Sequence, residues 1–320
     1  MFGVPAAARF LWPVLLLSLG FALPLLVTAD YYFFIGNLIM MNIVLAIGLD
    51  LLLGWAGQFA FAHVAFFGVG AYGTALLHTK LGIPFVAGMP IAAALSGLLG
   101  WVIAVPSTKL RHIYLALATF AFAEAWQWLL NSWDALTGGP NGMQIPPANV
   151  FGLKIAGDGA AFPVLAVIAA LVVAATMLLT SSRLGRSMCA IRESEHMASA
   201  CGVNVYQTKI HAFVISAVYA GIAGGMFTLF QSFVGPDKFG FVTLVLLLSM
   251  VVVGGLGTLP GTVIGAVFLT LLPEGMRASM RSLLIWQEAV YGAILILCMV
   301  FMPRGIWGLL QGLRTRRKAR

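Results

Sequence analysis

The sequence predicts an all-α fold, a polytopic bundle of about ten membrane-spanning helices, and three observations carry that reading. Of the 320 residues, 61% are hydrophobic and 9% charged, whereas a soluble domain carries about 25% charged residues. The apolar residues fall in runs long enough for about 20 helical residues to cross a hydrocarbon layer of roughly 30 Å, where only backbone that satisfies its own hydrogen bonds is tolerated. Stretches such as 164–179 and 244–253 also lack the polar residue at every second position that barrel strands of about 10 residues require.

Taken in order, runs bounded by charge, proline or glycine predict spans at 10–28, 33–53, 57–78, 84–105, 113–133, 162–180, 210–233, 241–256, 260–273 and 284–303. The first follows Arg9 and ends before the small Ala29, a pattern shared with cleaved secretory leaders. It is long enough to span despite Pro13 and Pro24, and counting it as a span makes the topology close. With the N-terminus inside, inner segments hold Arg9, Lys109, Arg111, Arg183, Arg186, Arg192, Lys209, Arg304 and the tail residues Arg314, Arg316, Arg317, Lys318 and Arg320. Only Lys80, Lys154, Lys238, Arg277 and Arg281 fall outside. That bias supports an even number of spans with both termini cytoplasmic.

Two loops exceed mere connectors. The outer one, 134–161, contains the turn-rich Thr137-Gly138-Gly139-Pro140-Asn141-Gly142 with Pro146 and Pro147 soon after. The inner one, 181–209, is charged, and its stretch 187–201 contains neither glycine nor proline and so permits a short helix. The chain reads as one transmembrane domain over 1–320, with spans and loops in 10–310 and a basic cytoplasmic tail at 311–320. The net charge of +8 collects at run ends and in the tail, which fits orientation and lipid headgroups rather than nucleic acid. Cys189, Cys201 and Cys298 lie at or near the inner side, where reduced thiols are expected.

The chemistry-bearing residues are few. No G-x-x-x-x-G-K-[ST] loop is present to cradle a nucleotide phosphate, so any ATP must be used elsewhere. Gly68, Gly70 and Gly73 match G-x-G-x-x-G, but inside an apolar run with no strand before it. Like Gly221 with Gly225 and Gly257 with Gly261 and Gly265, they read as small residues that let helix backbones approach. The breaks at Gly54 to Gly57 and at Gly254 to Gly261, with Pro260, either line a cavity or merely kink the helices.

Ionisable groups inside a membrane are expensive and usually functional. Glu124 in the fifth run, Asp50 near the inner end of the second, His63 early in the third and Glu288 early in the tenth are such groups. Glu124 is expected to face the bundle in a structural or gating role, with substrate contact or a proton relay as alternatives. His63 reads as a satisfied buried histidine before it reads as a ligand, because no His, Cys or carboxylate grouping at metal spacing accompanies it. Tyr31, Tyr32, Trp101, Trp126, Trp128 and Trp133 read as an interfacial belt, or alternatively as a stacking site. His63, His78, His112, His196 and His211 are too scattered to assemble a nucleophile, base and orienter, so an enzyme is not expected.

Several patches resemble the permeases of branched-chain amino acid ATP-binding-cassette importers. The stretch from Gly48, Leu49 and Asp50 through Gly54-Trp55-Ala56-Gly57-Gln58 and His63 to Gly68, Gly70 and Tyr72 is similar to that family's second-to-third helix signature. Tyr114-Leu115-Ala116 with Glu124, the segment Thr137 to Gly142, Ala190-Ile191-Arg192-Glu193 with Gly202, Gly254-Gly255-Leu256-Gly257 and Met302-Pro303-Arg304-Gly305 follow in the family's order. The likeness extends from about residue 35 to residue 310.

The resemblance implies a bacterial inner-membrane permease subunit that pairs with a second related permease, most simply as a heterodimer. It further implies two cytoplasmic ATPase subunits, with ATP bound there and no cofactor on this chain, and a periplasmic solute-binding protein docking near 134–161. Residues 192–202 look like the coupling helix, with Arg192, Glu193, Glu195, Ala198 and Gly202 as its contact residues, although His196 and Met197 depart from the acidic or small residues usual there. Asp50, Gln58, His63 and Glu124 are the candidate pathway residues. The family often has Asn where Asp50 stands, and the carboxylate either faces inner water, the first choice, or tunes substrate or pairs with a partner's base. The rival reading is an ion-coupled secondary transporter using Glu124 and Asp50.

Overall fold

The computed structural model describes residues 30–279 apart from 109, 111, 151, 152 and 156, together with 17–18 and short pieces within 289–311. The first and last expected spans, Glu288, Cys298 and the basic tail fall outside the described residues in whole or large part.

Helices dominate. Helix α1 (Asp30–Asp50) runs into a π-helical turn (Leu51–Trp55), followed by α2 (His63–Thr79), α3 (Phe85–Ser107), α4 (His112–Ser132) and the single turn α5 (Asp134–Thr137). Beyond the loop come α6 (Asp158–Ser181), α7 (Arg183–Glu193), α8 (Glu195–Ala200), α9 (Val205–Phe230), α10 (Phe241–Gly254) and α11 (Leu259–Ser279). Among the described residues, five segments are long and apolar enough to cross a membrane: Asp30–Trp55, Phe85–Ser107, Ile113–Ser132, Asp158–Ser181 and Val205–Phe230. Helices α2, α10 and α11 occupy the remaining expected runs between residues 57 and 273.

The expected span at 57–78 is helical only from His63. Hydropathy registers that 57–62 is apolar but not that Gly57, at φ +67°, leaves the helical region. Seven irregular or turning residues therefore separate the π-helical turn from α2.

Among the long apolar segments α1 and α9 are the most buried, with 83% and 72% of their apolar windows covered against 33% in α3 and 17% in α4, and the shorter α2 is buried from His63 through Tyr72. Helix α9 packs on α3, α2 and α1. Gly70 of α2 lies against the backbone of Gly221 in α9, and Gly224 lies against the backbone of Phe67 and Ala71, where a methyl group would collide. The glycine spacing in the third run thus serves close helix crossing, which substitutes for a hydrophobic drive that lipid does not supply. Phe67 and Phe239, with ring centres 5.0 Å apart, fill the space beside this crossing.

The bundle has two unlike ends. At one, β1 (Met143–Gln144) pairs antiparallel with β4 (Phe233–Val234), and β2 (Ala148–Val150) forms a hairpin with β3 (Leu153–Ile155). At the other, α7 and α8 lie beside the end of α1 and the start of α9.

Candidate functional site

The second end is built around two interrupted helices. Helix α1 loosens at Asp50, where Ala56 N–H bonds Leu51 O at 3.2 Å and Gln58 N–H bonds Leu52 O at 2.9 Å. Helix α10 stops at Gly254, and Gly255 and Gly257 carry φ of +120° and +71° before α11 starts. The two breaks touch backbone to backbone at Gly54 and Gly257, a contact that leaves no room for a Cβ at either residue.

Asp50 is 2% exposed, and its Oδ1 accepts the Gly257 N–H at 2.8 Å. Trp55, Thr262 and the Arg192 charge lie around the same carboxylate. The expectation that Asp50 faces inner water is therefore corrected: the chain folds the 254–257 break over it, and a buried carboxylate needs such partners. From the other side, the Arg192 guanidinium donates to Gly54 O while its stem lies over Gly57. Gly305 packs on Gly254 and Gly255 at the same break.

The segment that supplies Arg192 is not one helix. Ser194 is extended, at φ −163° and ψ 118°, so α7 ends at Glu193 and α8 begins at Glu195. The absence of glycine and proline from 187–201 permitted a continuous helix, but Ser194 caps instead, its hydroxyl accepting the Met197 N–H at 3.3 Å. Arg192 and Glu193 thus close α7, whereas Glu195 and Ala198 lie on α8 and Gly202 turns the chain at φ +82°. Glu195 pairs with Lys209 at 2.6 Å, tying α8 to the first turns of α9. Ala198 is 4% exposed and anchors α8, while Met197, at 73%, faces out. Cys189 and Cys201 are free thiols, the second exposed. Burial pushes the Cys189 thiol above its ordinary pKa, with the Arg192 charge opposing the rise.

The remaining candidates sit apart from the Asp50 junction. His63 is buried, with Nδ1 3.0 Å from Ser216 Oγ and Nε2 2.9 Å from Leu45 O. Because a carbonyl only accepts, Nε2 carries the proton and Nδ1 accepts from the serine. Both nitrogens are used, so the histidine is structural. Gln58 is 3% exposed, and both polar atoms of its side chain lack a hydrogen-bond partner among the described residues. The irregular segment is fastened to α4 by Phe61 N–H donating to Thr119 Oγ1 at 2.9 Å.

Glu124 lies on the exposed face of α4, in line with Tyr114, Leu117 and Trp128. The expectation that it faces the bundle of its own chain is corrected, because buried Leu115, Thr119, Ala123 and Leu130 form the inward face. Asp50 and Glu124 consequently do not form one site. Within the aromatic set, Tyr31, Tyr32, Trp101, Trp128 and Trp133 are exposed. Trp126 instead turns inward toward Gly68, its Nε1 buried without a partner among the described residues.

At the opposite end the turn-rich segment is rigidly bonded. Thr137 Oγ1 donates to Leu130 O at 2.7 Å and accepts the Gly139 N–H at 3.2 Å. Gly138, Gly139 and Gly142 all have positive φ. Ile145 N–H continues the β1–β4 pairing to Ser232 O at 2.9 Å. A cavity of about 260 Å³ opens there, lined by Ile145, Pro147, Asp158, Thr228, Gln231 and Ser232 among others. Sequence reasoning missed Asn37, an amide inside an apolar run that donates to Asp158 O at 3.0 Å. No group of three His, Cys, Asp or Glu able to hold a metal occurs among the described residues.

Comparison with known proteins adds a match of residues 31–299 to the family described as branched-chain amino acid transport system / permease component. The chain is similar to the high-affinity branched-chain amino acid transport system permease protein LivM of Escherichia coli strain K12, with 31% identity over 323 residues, covering 92% of this chain and 74% of that protein. LivM of Salmonella typhimurium strain LT2 is 31% identical over 296 residues, covering 85% and 69%. The corresponding protein LivH of Escherichia coli strain K12 is 27% identical over 282 residues, covering 82% and 90%. No solved structure matches the chain.

Proposed function

Because the chain belongs to the branched-chain amino acid transport permease family, we propose that it is one membrane subunit of an ATP-binding-cassette importer for branched-chain amino acids or similar small polar solutes. It is an integral membrane protein of apolar helices. In the proposed arrangement it crosses the bacterial inner membrane about ten times, with both termini and the α7–α8 segment in the cytoplasm and the strand-bearing end in the periplasm. The excess of basic residues on the α7–α8 side supports that orientation.

The observation that carries the reading is the seating of a charged, non-membrane segment on a broken helix through Arg192 and Gly54. ATPases without spans of their own can act on a permease only through such an element. Separate ATPase subunits hydrolyse ATP, and this chain does not. Arg192, Glu193, Glu195, Ala198 and Gly202 form the element the ATPases move. A solute-binding protein docks on 134–157 and 231–240, including Thr137 to Gly142.

A second, related permease covers the α4 face. A carboxylate on an apolar span is costly in lipid, and Glu124 on that face supports a wall shared with a partner or a hydrated pathway. The similarity of the chain to both LivM and LivH, two permease proteins of one organism, supports pairing between related subunits. Asp50, Gln58 and His63 shape the interrupted helix behind the pathway rather than touch solute.

Cross-linking in membranes followed by purification and an ATPase assay tests the proposal. A second permease and ATPase subunits should accompany the chain, and uptake should follow ATP. A chain recovered alone, with uptake that collapses under an ionophore at constant ATP, would instead establish the ion-coupled transporter.

A further inference from the structure

Arg192 makes more contacts than a surface residue of a docking helix requires. It stands in the last turn of α7, its guanidinium donates to Gly54 O, and its Cγ and Cβ lie 3.1 and 3.3 Å from where a Cβ on Gly57 would sit. The same guanidinium borders Gly257, whose N–H is held by Asp50 Oδ1. One side chain therefore bears on the end of α1, on the irregular chain leading to α2 and on the break between α10 and α11. The carbonyl it meets lies at a helix C-terminus, where a cation is favoured by the aligned peptide dipoles. On the opposite side of that contact Asp50 Oδ1 holds the Gly257 N–H at 2.8 Å.

We propose that Arg192 is a positioning residue, a pin that joins the end of α7 to the two helix breaks at Gly54 and Gly257, with the Asp50 carboxylate as its fixed counterpart. Displacement of the α7–α8 segment is then passed to α1, α2 and α10 as one motion. This inference rests on the importer reading above and assigns within it the residue through which force enters the membrane. It also accounts for the carboxylate at Asp50, since an Asn there keeps an acceptor for Gly257 N–H but removes the charge facing Arg192.

The test uses the complete transporter in vesicles with its partner subunits, reading solute moved per ATP hydrolysed. Failure of the native complex to assemble or hydrolyse ATP would sink the importer reading itself, before any variant is considered. With the native complex coupled, Arg192→Gln should lower solute moved per ATP by about tenfold, and Asp50→Asn by a few fold. The double variant should be no worse than Arg192→Gln alone, since the two residues serve one contact. Full additivity, or native coupling in Arg192→Gln, would overturn the pin.

A second construction separates mechanical joining from support of the fold. A Cβ on Gly57 would sit 3.3 Å from the Arg192 Cβ, so a small outward shift of α7 brings the pair into the roughly 3.5–4.5 Å that a disulfide spans. In a background with Cys189, Cys201 and Cys298 replaced by serine, Gly57→Cys with Arg192→Cys should cross-link on oxidation. Coupling should be low when the pair is reduced and should recover on oxidation, because a covalent joint replaces the guanidinium. A pair that does not cross-link, or an oxidised pair that stays uncoupled, would refute the proposal.

Discussion

The two ends of the bundle are held together by different means. The strand-bearing end is fastened by backbone pairing: β1 to β4, β2 to β3, and the Thr137 hydroxyl closing its own turn. Those bonds run from backbone to backbone, locally in β2–β3 and between distant segments in β1–β4, so no single side chain dominates. The α7–α8 end is joined by a few polar contacts between distant segments, Asp50 to Gly257, Arg192 to Gly54 and Glu195 to Lys209, around glycines that press backbone on backbone. The first arrangement suits a platform that must keep its shape, and the second suits a joint whose parts shift together. Local stability is expected to follow that division.

The sharpest way to break the comparison is Gly257→Val. A β-branched residue at φ +71° costs roughly 1–3 kcal/mol in backbone strain alone, and its side chain would displace Arg192 and Gly54 as well. Transport should be abolished and the melting temperature of the purified complex should fall. Wild-type uptake in this variant would show that the joint is not used. The matching change at the other end is Gly142→Ala, where φ is +63° and the Val234 carbonyl stands in the way of a methyl. It should lower stability by about 1–2 kcal/mol and weaken binding-protein docking in a titration. ATP turnover without binding protein should be unaffected. A Gly142→Ala effect on that basal turnover, as large as that of Gly257→Val, would erase the distinction between platform and joint.

Much of this architecture was legible in the sequence. Eight of the ten expected runs contain helices in the described residues, because an apolar run that meets lipid must satisfy its own backbone hydrogen bonds. The glycine spacings foretold close crossings, and the breaks at Gly54 to Gly57 and Gly254 to Gly261 are real interruptions. What hydropathy does not encode is direction. Glu124 and Asp50 both read as intramembrane carboxylates, yet one faces out and the other is folded under a neighbouring break. The contact between Asp50 and Gly257 joins residues 207 positions apart, a pairing that no local pattern contains. Ser194 was readable in principle, since serine is a strong helix N-cap, but an inventory of helix breakers passes over it.

Accessibility sharpens the comparison by less. Cys201 is exposed and Cys189 half-buried on the α7–α8 segment, so a membrane-impermeant maleimide should label Cys201 readily in inverted vesicles and slowly in right-side-out ones. The opposite sidedness would invert the whole orientation. Thiolate is the reacting form, and burial raises the Cys189 pKa. Its neutral form therefore persists to higher pH, and labelling at Cys189 should begin to rise only at a higher pH in the folded complex than in the same protein unfolded in denaturant. Coincident pH profiles would mean that α7 lifts away from the bundle in the resting protein.

The smallest effect is expected at Lys209. Its ammonium bonds Glu195 at 2.6 Å, but the glutamate is about a third exposed, and pairs open to water contribute roughly 0–1 kcal/mol. Lys209→Met keeps the apolar stem and removes the charge, so stability should change by less than about 1 kcal/mol. Coupling should fall by no more than about twofold, because Ala198 still seats α8 from its buried side. If Lys209→Met instead uncoupled the complex as fully as Arg192→Gln, the joint would run through α8 and the start of α9. Arg192 would then be one support among several.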